Sequence, residues 1–234
     1  MNTNIRWQTS EFLPTPLRYG AAVVVGLLAL SIIAFAVFQP IKVLPRIGLA
    51  PGLGLIDQDG RVLSNETLRG HIILYNFTYS RCASPCPQTM GVMRAVQEQL
   101  NGPFDNKGFR IRLLTISLDP THDTPQVLKE FALRSGADRP RWWFVTGDES
   151  QLKYAVGGGF NVYYAADAKG GITVDPVFVL VDGWGIVRAE YRTASPAMDR
   201  ILRDISLVID EAKNSEGAAR YAYEAAHLFL CYPK

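Results

Sequence analysis

Cys82 and Cys86, separated by three residues in the stretch FTYSRCASPCPQTM, are the side chains of this sequence best suited to chemistry. Two thiols at this spacing can bind a soft metal, exchange with another disulfide, or close a bridge that only holds a loop. They follow HIILYNF (71–77), an apolar run of strand length, and precede a helical pattern with Met90, Met93, Val96 and Leu100 on one side. A turn from strand to helix puts a thiol where free N–H groups and the helix macrodipole favour an anion, which makes it a better nucleophile and a better metal ligand. Arg81 beside Cys82 pushes the same way. Cys231, close to the C-terminus, reads as a small buried hydrophobe. One pair and an odd cysteine are too few for a disulfide scaffold.

The elements that must position the pair alternate in type. GLIDQDGRVL carries a hairpin signal, because Asp59-Gly60 supplies the positive φ of a tight turn. FRIRLLTISL (109–118) and RWWFVTG are further strands. TPQVLKEFALRSG is a helix with Thr124 as N-cap, Pro125 in the first turn and Gly136 past the end. DESQLKYAVGGGF reads as a short helix stopped by glycines, and VFVLVDGWGIVRAEY as a hairpin turning through Asp182-Gly183. SPAMDRILRDISLVIDEAK is a capped amphipathic helix. This order predicts an α/β sheet, partly parallel, with helices on both faces.

GAAVVVGLLALSIIAFAVF, residues 20–38, has no charged residue. At about 1.5 Å per residue it spans roughly 28 Å, close to the hydrocarbon thickness of a bilayer. Ala34-Phe35-Ala36 resembles a signal cleavage site, but the run is longer than a usual signal core, so we read it as an uncleaved anchor. Arg6 and Arg18 before it balance Lys42 and Arg46 after it, so charge does not set its orientation. With 24 basic and 22 acidic residues the chain lacks the basic excess that nucleic acid requires. No phosphate loop is present, since VGGGF lacks the lysine, and RWWF reads as core strand rather than a stacking platform.

LYNFTYSRCASPCPQTM resembles the Sco/SenC family, membrane-anchored thioredoxin-fold proteins linked to copper delivery to cytochrome oxidase. LIDQDGRVLSNETLRGHIILYNF, TISLDPTHDTPQVLKEFA, FVTGDESQLKYAVGGGFNVYY and VLVDGWGIVRAEY are similar to the family's successive units. The resemblance covers roughly residues 48–212. It implies a thioredoxin-like α/β domain on a single N-terminal transmembrane helix. The organisation would be a cytoplasmic segment 1–19, an anchor 20–38, a linker 39–47, a domain 48–212 outside the cytoplasm, and a tail 213–234. That tail either packs on its own domain or meets a partner or the membrane. The resemblance also implies cytochrome-containing or oxidase subunits as partners.

In the family, two cysteines and one histidine form a three-ligand copper site. Cys82 and Cys86 carry over, and Pro87 matches the proline after the second cysteine. The histidine does not. The chain has only His71, His122 and His227, and counting back from LVDGWG puts the ligand position near Val174. Asp175 beside it is a hard donor, poorly matched to Cu(I). His122, in the loop DPTHDTP, is the candidate substitute ligand; His71 reads as structural, and His227 lies in the unmatched tail. Copper binding is therefore expected to be weakened. Pro176 occupies the place where thioredoxins carry a cis-proline facing the cysteines, although proline is also tolerated at the first residue of a strand. Two functions stay open. One is thiol–disulfide or Cu(I) chemistry at the pair, in oxidase assembly within a respiratory or photosynthetic electron-transfer chain. The other is a non-catalytic accessory subunit of a membrane electron-transfer complex, with the cysteines as a structural disulfide.

Overall fold

A computed structural model describes residues 15–38, 41–102, 109–167 and 170–229. Helix α1, Thr15–Phe38, is apolar, and the spanning stretch Pro16–Ala34 buries none of its surface against the protein. By length and composition it is compatible with a membrane anchor or a signal sequence.

The rest is built on one eight-stranded sheet. Its strands are β1 (Gly48–Leu49), β2 (Gly54–Asp57), β3 (Val62–Ser64), β4 (His71–Thr78), β5 (Arg110–Ser117), β6 (Trp142–Thr146), β9 (Phe178–Val181) and β10 (Ile186–Tyr191), in spatial order β1-β10-β9-β4-β5-β6-β2-β3. β4, β5 and β6 are parallel, and β9 closes antiparallel on the free side of β4. β4 is buried at all eight positions, as a central strand covered on both faces must be. Its alternation divides the core. Ile73, Tyr75 and Phe77 point into one apolar cluster with Leu114, Val156 and Phe160. Ile72 and Leu74 point into the other, beneath α3 (Cys86–Leu100), α4 (Pro125–Arg134) and α6 (Met198–Lys213).

Local signals behave as the residues dictate. Gly60 takes φ +79° in the β2–β3 turn, and Thr124 caps α4 by accepting the N–H of Val127. Two expectations change. In the β9–β10 turn the positive φ falls on Gly185, because the Asp182 carboxylate accepts the N–H groups of both Trp184 and Ile186 and sets the turn around them. α6 starts with Ala197 at its N-cap and has no side-chain cap; its amphipathic face holds it in place instead. Two short helices lie off this frame: α2 (Asn65–Leu68) after β3, and α5 (Glu149–Leu152), which runs into a π-helical turn, Lys153–Gly159. A separate hairpin, β7 (Tyr164–Ala166) with β8 (Ile172–Val174), precedes β9.

Residues at both ends of the domain pack onto it. Val43 and Leu44, within the expected linker, are buried. Helix α7, Ala219–Phe229, docks through His227 on Glu211 (2.9 Å) and Glu224 on Arg46. Packing on its own domain is therefore what the described part of the tail does. Cys231 lies outside the described residues.

Candidate thiol site

Strand β4 delivers the chain into the cysteine loop, and α3 takes it away. Cys82 and Cys86 form a disulfide, with Cα atoms 5.8 Å apart. Their surroundings differ. Cys82 is half-buried in the loop, its N–H bonded to the carbonyl of Tyr79 (3.1 Å), while Cys86 is 3% exposed and opens α3 within the apolar cluster. No side chain caps that helix end. A Cys86 thiolate would sit directly in the field of the helix N-terminus.

Asp123 fixes the loop from below. Fully buried, it accepts the backbone N–H of Ser80 (2.8 Å), the hydroxyls of Ser80 and Ser117, and a hydrogen bond from His122 Nδ1 (3.0 Å). Arg81 pairs with Asp119 at 2.5 Å. Burial alone would raise the Asp119 carboxyl, but hydrogen bonds from Arg81 and Thr121 hold it below the ordinary carboxylate value. The bond to Asp119 likewise raises the Arg81 guanidinium. The aspartate-proline loop thus positions the cysteine loop, a role that pattern reading of DPTHDTP did not supply.

The sequence-predicted candidates separate in space. His122 joins Asp119 and Asp123 in a cluster of donors within 4.8 Å of one another, and neither sulfur belongs to it. Its Nδ1 is turned to Asp123 and Ser80. His71 is buried at the opposite end of β4, with Nδ1 at the Arg69 carbonyl; burial, helped by nearby Arg112, lowers its pKa. His227 is on the tail helix against Glu211. Pro176 is not preceded by a cis peptide. Among the described residues that geometry occurs at Ser84-Pro85, inside the cysteine loop. Pro176 stands between β8 and β9, where the ordinary trans isomer joins the two strands.

Val174 ends β8 and is 5% exposed, in the same apolar cluster as Cys86, with Cys82 packed against that cluster. The hairpin is fastened to the cysteine loop where Tyr79 Oη accepts the N–H of Ile172 (3.0 Å). The donor set therefore fits copper only in part. Two sulfurs suit Cu(I), and Val174, in the apolar cluster that holds Cys86, offers no donor.

A cysteine pair at a strand-to-helix turn, on a sheet of three parallel strands flanked by antiparallel ones, defines a thioredoxin-like protein. Comparison with known proteins narrows this. The SCO1/SenC family model matches residues 50–210, and the chain belongs to that family. A SCO2-like protein of Rickettsia prowazekii is 36% identical over 111 residues, covering 47% of this chain and 50% of that protein. The chain spans about half the length of the curated relatives it matches. Two solved structures share the fold. Copper-bound ScoI of Arabidopsis thaliana is 20% identical with TM-score 0.61, covering 70% of this chain and 99% of that one. BsSco, a member of the Sco family of cytochrome c oxidase assembly proteins in which a disulfide switch was identified, is 24% identical with TM-score 0.62, covering 72% and 98%.

Proposed function

We propose that this chain is a membrane-anchored Sco/SenC protein that acts by thiol–disulfide exchange at Cys82 and Cys86 in oxidase assembly, with Cu(I) as a weakly held cargo of the reduced pair. The observation that carries the reading is the unequal exposure of the two sulfurs: Cys82 can be reached from solvent and Cys86 cannot. In the reduced protein the Cys82 thiolate attacks one sulfur of a partner's disulfide, forming a mixed disulfide and releasing the partner's other sulfur as a thiolate. Cys86 then attacks the Cys82 sulfur, expels the partner's second thiolate, and closes the intramolecular bridge. The partner gains two electrons and the pair loses two.

Cysteine thiolates supply soft donors for Cu(I). His122, alone of the three histidines in sharing hydrogen bonds with the cysteine loop, is the residue from which a third donor would come. The α1 helix serves as the anchor, with the domain outside the cytoplasm, because a lasting disulfide requires an oxidising compartment. The burial of Val174 in place of a donor favours a second reading, an accessory subunit without chemistry of its own, docked on cytochrome-bearing partners.

Cells carrying Cys82→Ser or Cys86→Ser separate the two. Loss of assembled oxidase, with a mixed disulfide trapped on Cys82 in the Cys86→Ser protein, is expected. Normal oxidase in both variants, with the chain co-purifying in fixed stoichiometry with cytochrome subunits, would move the assignment to the accessory role.

A further inference from the structure

Beside the segment that leaves α1 lies a cavity of about 310 Å³ that the thiol chemistry does not use. Its lining includes Leu44, Pro45 and Ile47, the arginines Arg192, Arg200 and Arg203, and the carboxylates of Glu190 and Asp204. Two of these arginines are paired with those carboxylates: Arg192 on Glu190 (2.9 Å) and Arg203 on Asp204 (2.8 Å). The second Asp204 oxygen is taken by the Tyr191 hydroxyl. Arg200 has no carboxylate among the described residues; its guanidinium lies over the Tyr191 ring, 5.5 Å from the centroid. The lining thus joins one cation without a carboxylate, two guanidinium groups already paired with carboxylates, and apolar side chains.

Chain length fixes where this cavity can be. Val43 is fully buried in the domain, and only five residue steps separate it from Phe38, the last residue of α1. Five steps of extended chain reach at most about 18 Å. The edge holding Leu44 therefore cannot stand far from the membrane surface.

We propose that this cavity takes the phosphate headgroup of an anionic phospholipid from the leaflet where α1 ends, holding the domain edge-on against the membrane. The proposal rests on the anchor reading above. Sheet register gives it a consequence for the thiol site. Tyr191, under Arg200, pairs with Phe178, and Phe178 pairs with Asn76, two residues before the end of β4. Lipid contact at this edge thus keeps the cysteine end of the sheet close to the membrane, within reach of partners whose own sites lie near that surface.

The test uses the full chain in nanodiscs of phosphatidylcholine, with and without phosphatidylglycerol, read by amide hydrogen exchange over residues 188–204. Slower exchange in the anionic discs is expected. Arg200→Ala should raise the phosphatidylglycerol fraction needed for half-protection roughly fivefold, the worth of one basic residue at an anionic surface, and Arg200→Lys should largely restore it. Equal exchange in both discs, with the chain retained through an alkaline wash, overturns the headgroup site while leaving the anchor standing. Loss of the chain from both discs in that wash removes the anchor and this proposal together. Equal protection by inorganic phosphate or an acidic peptide in phosphatidylcholine discs would also overturn it, in favour of a free-ion or protein ligand.

Discussion

Asp123 accepts the backbone N–H of Ser80 at 2.8 Å, and this bond ties two loops 43 positions apart in sequence. The same carboxylate, wholly buried, collects the Ser80 and Ser117 hydroxyls and His122. A buried carboxylate is tolerable only when its lone pairs are filled, and here they are. The start of the cysteine loop is therefore tied to the end of β5 through one carboxylate.

Replacing Asp123 by alanine strands the Ser80 N–H and the Ser117 hydroxyl. Each unsatisfied group costs about 1–3 kcal/mol, so a loss of a few kcal/mol is expected in denaturant unfolding. Asp123→Asn keeps acceptor capacity on one oxygen and should lose less. An unchanged unfolding midpoint for the alanine variant would mean that the loop is held by something else.

Arg188 is the second buried hub. It donates to Asp182 (3.0 Å), to Glu211 (2.5 Å) and to the Leu44 carbonyl (2.8 Å), all at about 1% exposure of its own side chain. Arg188→Met leaves the buried Asp182 carboxylate without its cation and takes one of three partners from Glu211, which keeps Arg46 and His227; removing one partner of a buried pair costs about 3–5 kcal/mol. The same denaturation experiment checks it, and a near-neutral result would show that Asp182 and Glu211 find other partners.

Glu211 gives a pH signature. Burial raises its carboxyl, but hydrogen bonds from His227 and Arg188 outweigh that and hold it to about 2, well below the ordinary glutamate value of 4.5. A folded pKa below the unfolded one contributes stability that is complete above the unfolded value and is lost as pH falls through the folded one. Stability should therefore decline between about pH 4.5 and pH 2 through this group, by on the order of 3 kcal/mol. The part of the decline due to this residue should vanish in Glu211→Gln. Urea midpoints across that range test it, and parallel curves for wild type and variant would exclude the assignment.

Much of this was legible in the residues. β4 announces itself as an unbroken apolar run, and Thr124 marks the start of α4, because burial on both faces and capping are local facts. The lack of any histidine between positions 123 and 226 is equally legible, since histidines can be counted. The β7–β8 hairpin was not, because three-residue strands with a half-buried pattern leave no period to detect. The Asp123 hub was invisible for another reason: its partners are set by the packing of β4 against β5, which brings Ser80 and Ser117 together. Pro176 stayed open between two readings because its place relative to β9 fits either isomer, and the cis bond lies at Ser84-Pro85.

The reduced pair should discriminate between alkylating agents by position. Cys82 is half-buried and Cys86 sits at 3% exposure, so iodoacetamide should label Cys82 first, by roughly tenfold or more if access dominates. Peptide mass spectrometry after brief labelling reads the ratio. Equal labelling would indicate that the reduced loop opens and that the asymmetry belongs to the oxidised state alone.

Val174 sets the last expectation. It is buried in the apolar cluster that holds Cys86, at the end of a hairpin fastened to the cysteine loop by Tyr79. Two thiolates can hold Cu(I) with few ligands, whereas Cu(II) prefers four nitrogen or oxygen donors in a tetragonal arrangement, and a valine offers none. Reduced wild-type protein should thus take up Cu(I) modestly and Cu(II) hardly at all. Val174→His places an imidazole in that cluster and should raise Cu(II) affinity, at some cost in stability because the larger, polar ring replaces a packed side chain. Copper titration of the reduced chain, wild type beside variant, is the measurement. Tight stoichiometric Cu(II) binding by the wild type would show that another residue supplies the third donor. His122→Ala would then decide whether that residue is His122, since its ring already contacts the cysteine loop through Ser80.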